Sequence, residues 1–267
     1  MRLLLVIFAF FSINSFSQGK IDGFYRGKGN LTTVLGFGFE DYKNYYAGRE
    51  KLDLQRTAYY GNLFSAYGIT KNLDTQISIP YIESDNNKDF QDLSLFLKYR
   101  FLSLKKTNHK LDLSLGSGIS TPLSDYKVGG LYDIGQQATV IDLRFVTHYE
   151  FNNKWFLTAQ TGYSFKSNPT PNSIPFTLKM GVFKNGWYYD VYYDYQHSYG
   201  GIDYRGTPFP QDFRALGVDF NKVGSTIFKS FNNFGAYATA SYLMPGRNTF
   251  QGPSYGLGLT YDIKKSN

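Results

Sequence analysis

Apolar side chains recur at every second position in many stretches, and this alternation constrains the fold more than any other feature of the chain. Between residues 92 and 101, every second side chain is apolar, and the row between them carries most of the charges. A period of two is the pattern of a β-strand with one dry and one wet face. Residues 253–262 repeat the pattern, with an aromatic and aliphatic row opposite small and polar residues. The sequence therefore predicts an all-β chain.

The connections between the predicted strands alternate in length, and this favours a membrane barrel over a soluble sandwich. Tight turns rich in Asn, Lys, Gly and Asp, such as 70–74, 152–154 and 184–186, alternate with longer loops, such as 121–136 and 197–211. Bacterial outer-membrane barrels have an even number of strands, short periplasmic turns and longer outer loops. We therefore predict a transmembrane antiparallel up-and-down β-barrel of about twelve strands, with both termini in the periplasm.

The N-terminus has the three parts of an export signal. Arg2 supplies the positive charge, residues 3–11 are apolar, and residues 15–17 are small around a phenylalanine. We expect residues 1–17 to be cleaved and residues 18–267 to form a single outer-membrane barrel domain. The apolar run is shorter than the ~18 residues that a membrane-spanning helix needs, and no later stretch approaches that length.

The composition fits an exported barrel. Aromatic residues make up 19% of the chain, with 24 tyrosines and 24 phenylalanines, which girdles at the two bilayer interfaces would explain. The chain has no cysteine, which excludes disulfides and thiolate metal sites. The formal charge of +7 suits anionic lipid or an anionic solute, and no nucleic-acid motif is present. We expect an outer-membrane location with lipid as the surrounding partner; the oligomeric state stays open.

If the apolar rows face lipid, the charged rows face the lumen. The predicted lumen-lining residues are Asp92, Lys98, Arg100, Asp112, Asp142, Arg144, His148, Glu150, Lys179, Asp190, Tyr192 and Asp194. One interpretation is a charge network that cross-links the wall and fills a narrow bore. The other is a charged lining that selects solutes along a path. Both stay open, because the register between strands decides which charges meet. The segment 19–28 is too short for us to expect a plug.

The remaining candidates for chemistry are few. Inward tyrosines, among them Tyr60 and Tyr188, either stack on aromatic solutes or fill space beside luminal charges. His148 is the histidine best placed for catalysis, but a barrel phospholipase also needs a serine and a polar orienting group on adjacent strands. No local motif of that kind is present, so we expect no enzyme activity. No metal-ligand spacing stands out, and we expect neither a metal nor a cofactor.

Two stretches resemble known barrels. Ser254, Gly256, Leu259 and Tyr261 resemble the C-terminal signal by which bacterial outer-membrane barrels are recognised for insertion. The run from Tyr67 to Tyr81, with Tyr-Gly-Ile before a Thr-Lys-Asn-Leu-Asp turn and Pro-Tyr at its end, resembles the hallmark of outer-membrane barrels described as transporters of the meta-pathway of phenol degradation. This resemblance implies a barrel that moves small hydrophobic or aromatic compounds, and it carries no binding residues with it.

Two functions follow as hypotheses. The first is passage of a small solute through an outer-membrane barrel, as a channel or transporter. The alternative is a structural or accessory barrel of envelope or secretion machinery, whose lumen is closed by its charge network. Conductance in a planar bilayer distinguishes the two.

Overall fold

The described residues, 21–130, 132–205 and 212–265 of a computed structural model, form a closed antiparallel β-barrel. The predicted signal peptide, residues 1–17, lies outside the described residues. Within the described residues, the regular helical structure is one 3-10 turn at Phe213–Ala215. No helix in this part of the chain is long and apolar enough to cross a membrane.

Twelve long strands make the wall, and three short strands lie at its long-loop end. The wall strands are β1 (Leu31–Tyr42), β4 (Arg56–Gly68), β5 (Leu73–Ser84), β7 (Asp92–Lys106), β8 (His109–Pro122), β9 (Val140–Phe151), β10 (Trp155–Lys166), β11 (Ser173–Lys184), β12 (Trp187–Ser198), β13 (Asp219–Phe231), β14 (Phe234–Arg247) and β15 (Thr249–Ile263). The short strands are β2 (Asn44–Ala47), β3 (Glu50–Leu52) and β6 (Asn87–Phe90).

Pairing between the first and last wall strands closes the barrel. β15 lies antiparallel to β1, with Leu35 opposite Leu259 and Gly38 opposite Gly256. Every other wall strand pairs antiparallel with its sequence neighbours in the wall. Closure leaves no unpaired sheet edge, which the hydrocarbon of a bilayer could not hydrate. The predictions of an all-β chain and of about twelve antiparallel strands are confirmed.

The outer surface of the wall is apolar. Leucines at mid-height, such as Leu35, Leu97 and Leu143, are between 44% and 49% exposed. Exposed aromatic rings stand toward both strand ends. Trp155, Trp187, Phe231 and Phe234 lie at the short-turn end, and Tyr59, Phe90, Phe165 and Tyr242 lie toward the long-loop end. An apolar band between two aromatic girdles is the surface that fits a bilayer.

One segment differs from the expected strand pattern. Along residues 213–230 the alternation of apolar side chains is irregular and breaks near Lys222. In the structure, Phe213–Ala215 is a helical turn and β13 begins at Asp219. The register of β13 against β14 shifts between Asp219 and Asn221, and this bulge explains the break.

The long-loop end is partly covered by its own aromatic residues. Tyr42, Tyr45, Ala47 and Phe250 form a buried cluster where β2 pairs with the start of β15. Tyr204 of the loop after β12 packs against this cluster. Tyr42, Tyr45 and Phe250 also line a cavity of about 270 Å³ at this end, the mouth of the barrel.

Candidate functional site in the barrel lumen

The residues predicted to line the lumen lie on inward-facing rows of the wall strands. The buried ones are Lys98, Asp112, Asp142, Arg144, His148, Lys179, Asp190, Tyr192 and Asp194, and the partly buried ones are Asp92, Arg100 and Glu150. The strand register brings them together in separate groups along the barrel axis.

One group lies near the short-turn end, where β7, β8 and β9 meet. Arg100 Nη1 is 2.9 Å from Asp112 Oδ2, and Lys110 Nζ is 3.0 Å from the same oxygen. Lys110 also pairs with Glu150 at 2.7 Å, and His148 Nε2 lies 3.5 Å from that carboxylate. These contacts link three neighbouring strands.

A second group lies higher in the wall, on β9 to β12. Arg144 Nη2 donates to Asp142 Oδ1 at 2.6 Å, and Ser164 Oγ donates to the same oxygen at 2.5 Å. Thr177 Oγ1 donates to Asp194 Oδ1 at 2.6 Å. Partners of this kind offset the cost of burying charges. The pairing favours the interpretation of a network that cross-links the wall.

His148 has the surroundings of a structural residue. Its Nδ1 is hydrogen-bonded to Thr158 Oγ1 at 2.7 Å. A barrel hydrolase would use a serine at such a position, and this partner is a threonine. Among the described residues, no group of three or more His, Cys, Asp or Glu side chains is arranged to hold a metal ion.

A chamber of about 700 Å³ occupies the lumen toward the short-turn end. Of the predicted lumen residues, only Glu150 and Lys179 line it. The rest of its wall is mainly neutral and aromatic, and includes Thr32, Asn62, Phe64, Gln76, Ser78, Ser94, Phe96, Thr158, Gln160, Thr177, Phe183, Tyr188, Thr226, Phe228, Tyr237 and Thr260. Four further charged residues also line it, Asp22, Arg26, Lys184 and Asp262. Of the neutral and aromatic residues, only Tyr188 is among the inward side chains predicted from the sequence. The signal was present, because the aromatic residues occupy alternate, inward positions of their strands.

The N-terminal segment, residues 21–30, also lies inside the barrel, which corrects the expectation that it forms no plug. Lys98 Nζ donates to the carbonyl oxygens of Asp22 and Phe24, at 3.0 and 2.5 Å. Gln160 Nε2 donates to the carbonyl oxygen of Ile21 at 2.9 Å. A short segment can obstruct the lumen because its buried backbone oxygens are hydrogen-bonded by the wall.

Side chains of this segment add further contacts with the wall. Asp22 pairs with Lys98 at 3.2 Å and with Arg26 at 2.6 Å. Burial alone would raise the pKa of Asp22, but the two neighbouring positive charges lower it below its ordinary value. Tyr25 donates its hydroxyl to Ser114 Oγ at 2.8 Å, and Lys98 Nζ lies 4.2 Å from its ring centre. The segment is therefore fixed by charge, hydrogen bonds and ring contacts.

Inward aromatic rings of the wall lie over glycines on the neighbouring strand. The directly paired residues are Tyr60 with Gly38, Phe96 with Gly118, Phe156 with Gly181, Tyr192 with Gly224, and Tyr237 with Gly258. A Cβ atom at each of these glycines would come within about 1.5 to 2.6 Å of the ring. Only glycine, which has no Cβ atom, leaves room for the ring at these positions. Each ring therefore covers a bare part of the wall, which favours the space-filling interpretation for Tyr60 and Tyr192.

A family model described as "Putative MetA-pathway of phenol degradation" matches residues 19–221. The chain belongs to this family. The barrel is similar to the crystal structure of an outer membrane channel from Pseudomonas putida F1, with 15% identity, a TM-score of 0.71, and coverage of 91% of this chain and 99% of that one. It is also similar to the NanC porin, with 11% identity, a TM-score of 0.52, and coverage of 87% and 100%. At these identities the likeness shows the fold. No curated protein sequence matches the chain significantly.

Proposed function

We propose that this protein is an outer-membrane channel for small uncharged solutes, including hydrophobic and aromatic ones. The chamber inside the barrel carries the proposal. Its volume of about 700 Å³ suits a small molecule, and pockets for such ligands typically measure roughly 300–1,000 Å³. Aromatic, hydroxyl and amide side chains dominate its lining. The relatives described as channels support the same function.

The charge pairs of the wall explain the preference for uncharged solutes. Arg144 and Asp142 bond to each other, as do Arg100 and Asp112. A charged solute entering the lumen would lose hydration and would have to compete with these existing partners for the paired charges. A neutral solute needs only hydrogen bonds and ring contacts, which the chamber offers.

Conductance and swelling measurements test the channel. We expect the purified protein to give stable single-channel currents in planar bilayers. In liposome swelling, we expect phenyl glucoside and glucose to enter faster than glucuronate, because only the last is charged. Arg144→Ala leaves Asp142 without its cation and should shift the ion selectivity toward cations. Arg214→Ala, which breaks an exposed pair with Asp212 at the helical turn, is the control. Absence of current and of swelling would contradict the proposal.

The alternative function is an accessory barrel with a closed lumen, and two observations favour it. The N-terminal segment occupies part of the lumen, and the cavity at the mouth shares no lining residue with the chamber. A protein that gives no current, and that co-purifies with other envelope proteins, would support this function over the first.

A further inference from the structure

The side chain of Phe24 is inserted into an aromatic cage formed by the barrel wall. Its ring centre lies 4.5 Å from that of His148, 5.2 Å from Phe156, 5.7 Å from Phe183 and 6.3 Å from Tyr188. The interplanar angles are between 66° and 89°. These are edge-to-face contacts, the arrangement that aromatic quadrupoles favour. The cage therefore makes the contacts that favour a single aromatic ring.

The cage belongs to the wall and does not depend on the ring that it holds. Its members come from four consecutive strands, β9 to β12, and Phe183 is directly opposite Tyr188. Phe156 stacks on Tyr188 at 5.3 Å with an angle of 20°, and the phenyl ring of Phe156 covers Gly181. His148 is held by Thr158, and Tyr188 donates its hydroxyl to Asp190 at 2.6 Å. These contacts would keep the cage in shape if Phe24 left it.

The cage borders the chamber of about 700 Å³. Phe24, Phe183 and Tyr188 all line that chamber, so a solute inside it reaches the edge of the cage. Phe24 itself comes from a short segment that no strand pairing holds along its length. The polar contacts of the segment hold its backbone, Asp22 and Tyr25, whereas the Phe24 side chain is held by ring contacts, so this ring can leave the cage by rotation while the wall stays in place.

We propose that this cage is a binding site for a single uncharged aromatic ring, that Phe24 occupies it as an internal ligand, and that an aromatic solute competes with Phe24 for it. The proposal rests on the proposed function only in requiring that a solute enters the lumen. Because of this competition, the apparent affinity of the solute equals its intrinsic affinity multiplied by the fraction of molecules in which the cage is vacant. Displacement of Phe24 would also loosen the segment that obstructs the lumen.

The test removes the internal ligand and measures binding directly. Phe24→Ala leaves a vacant aromatic cavity, and apolar cavities of about 150 Å³ in other proteins bind benzene. With 4-fluorophenol as the probe, fluorine NMR line broadening on detergent-solubilised protein reports saturable binding without any current. We expect Phe24→Ala to bind the probe at least about tenfold more tightly than the unmodified protein, because the variant removes a competing ring whose aromatic pair contacts are each worth up to about a factor of ten. Phenol should displace the probe, and cyclohexanol should not.

Two variants serve as controls. Phe37→Ala makes the same change on the lipid-facing surface, where Phe37 is 50% exposed, and it corrects for probe dissolved in the micelle. Phe156→Ala combined with Phe24→Ala dismantles the cage and should abolish the gain. Heat-dependent electrophoretic mobility confirms that each barrel is folded, and Phe24→Leu repeats the test if Phe24→Ala does not fold.

Equal binding by Phe24→Ala, Phe37→Ala and the unmodified protein would overturn the proposal. So would equal displacement by cyclohexanol, or a gain that survives loss of Phe156. Binding with no current would support the cage and contradict the channel. Current with no gain in binding would support the channel and contradict the cage.

Discussion

Lys98 shows how one buried charge can order a segment of chain. Only 1% of its side chain is exposed, although it lies on a strand whose other face meets lipid. Burying an ammonium group is costly unless it is fully hydrogen-bonded. Lys98 meets that need with the carbonyl oxygens of Asp22 and Phe24 and with the carboxylate of Asp22. The wall and the N-terminal segment therefore stabilise each other through this residue.

Lys98→Met should release the N-terminal segment while the barrel stays folded. The change removes the partner of Asp22 and the donor to two backbone oxygens, and breaking a buried pair of this kind costs about 3 kcal/mol. Hydrogen–deuterium exchange of a peptide covering residues 21–30 should then accelerate by about two orders of magnitude. Lys105→Met, at an exposed position of the same strand, is the control. Unchanged exchange in Lys98→Met would contradict the assigned role.

The N-terminal segment is an element without regular structure, and it is held by close fit. Gly23 lies against His148, such that an added Cβ would stand 2.1 Å from Nδ1 of that ring. Gly29 and Gly68 are joined by a backbone hydrogen bond of 2.7 Å, which holds the end of the segment to β4. Glycine at these places is required for the segment to approach the wall.

Gly23→Ala should force the segment, and Phe24 with it, away from the wall. The added methyl group overlaps a ring that is itself fixed by Thr158, so the flexible partner has to move. We expect a larger single-channel conductance than in the unmodified protein. Gly61→Ala is a matched control, because the added Cβ would lie 3.8 Å from Phe37, an ordinary contact. If both variants conduct like the unmodified protein, the segment does not limit the current.

At the scale of the whole molecule, the barrel has two unlike ends. The wall strands are joined by tight turns at one end, as between β9 and β10, and at the other end mostly by longer loops, although Asn248 alone joins β14 to β15. The closing pair of β1 and β15 places the described start and end of the chain at the tight-turn end. If that end faces the periplasm, as in other outer-membrane barrels, both termini are periplasmic.

Single cysteines test this orientation cleanly, because the chain has none of its own. We expect a membrane-impermeant maleimide to label Lys127→Cys in intact cells and to spare Thr107→Cys. Both side chains are exposed, the first in a long loop and the second in a tight turn. Both variants should be labelled after the outer membrane is permeabilised. Labelling of Thr107→Cys in intact cells would reverse the orientation.

The sequence by itself determined the wall strands, their approximate number and which face of each lies outward. Alternation along a strand is a local property, so neighbouring residues such as Leu97 and Lys98 point to opposite faces of the sheet. A shift of the strand by one residue would place every side chain on the wrong face. The inward placement of Asp112 and Asp142 followed from the same rule.

Only the tertiary structure decided which inward residues meet. Arg100 is paired with Asp112, and Lys98 with the backbone of the N-terminal segment, because the register and a bulge in β7 set their heights. No periodicity marks residues 21–30, so their insertion was missed. The position of a segment without a repeating pattern is set by its contacts with the folded wall. The aromatic cage around Phe24 likewise forms only when four strands lie side by side.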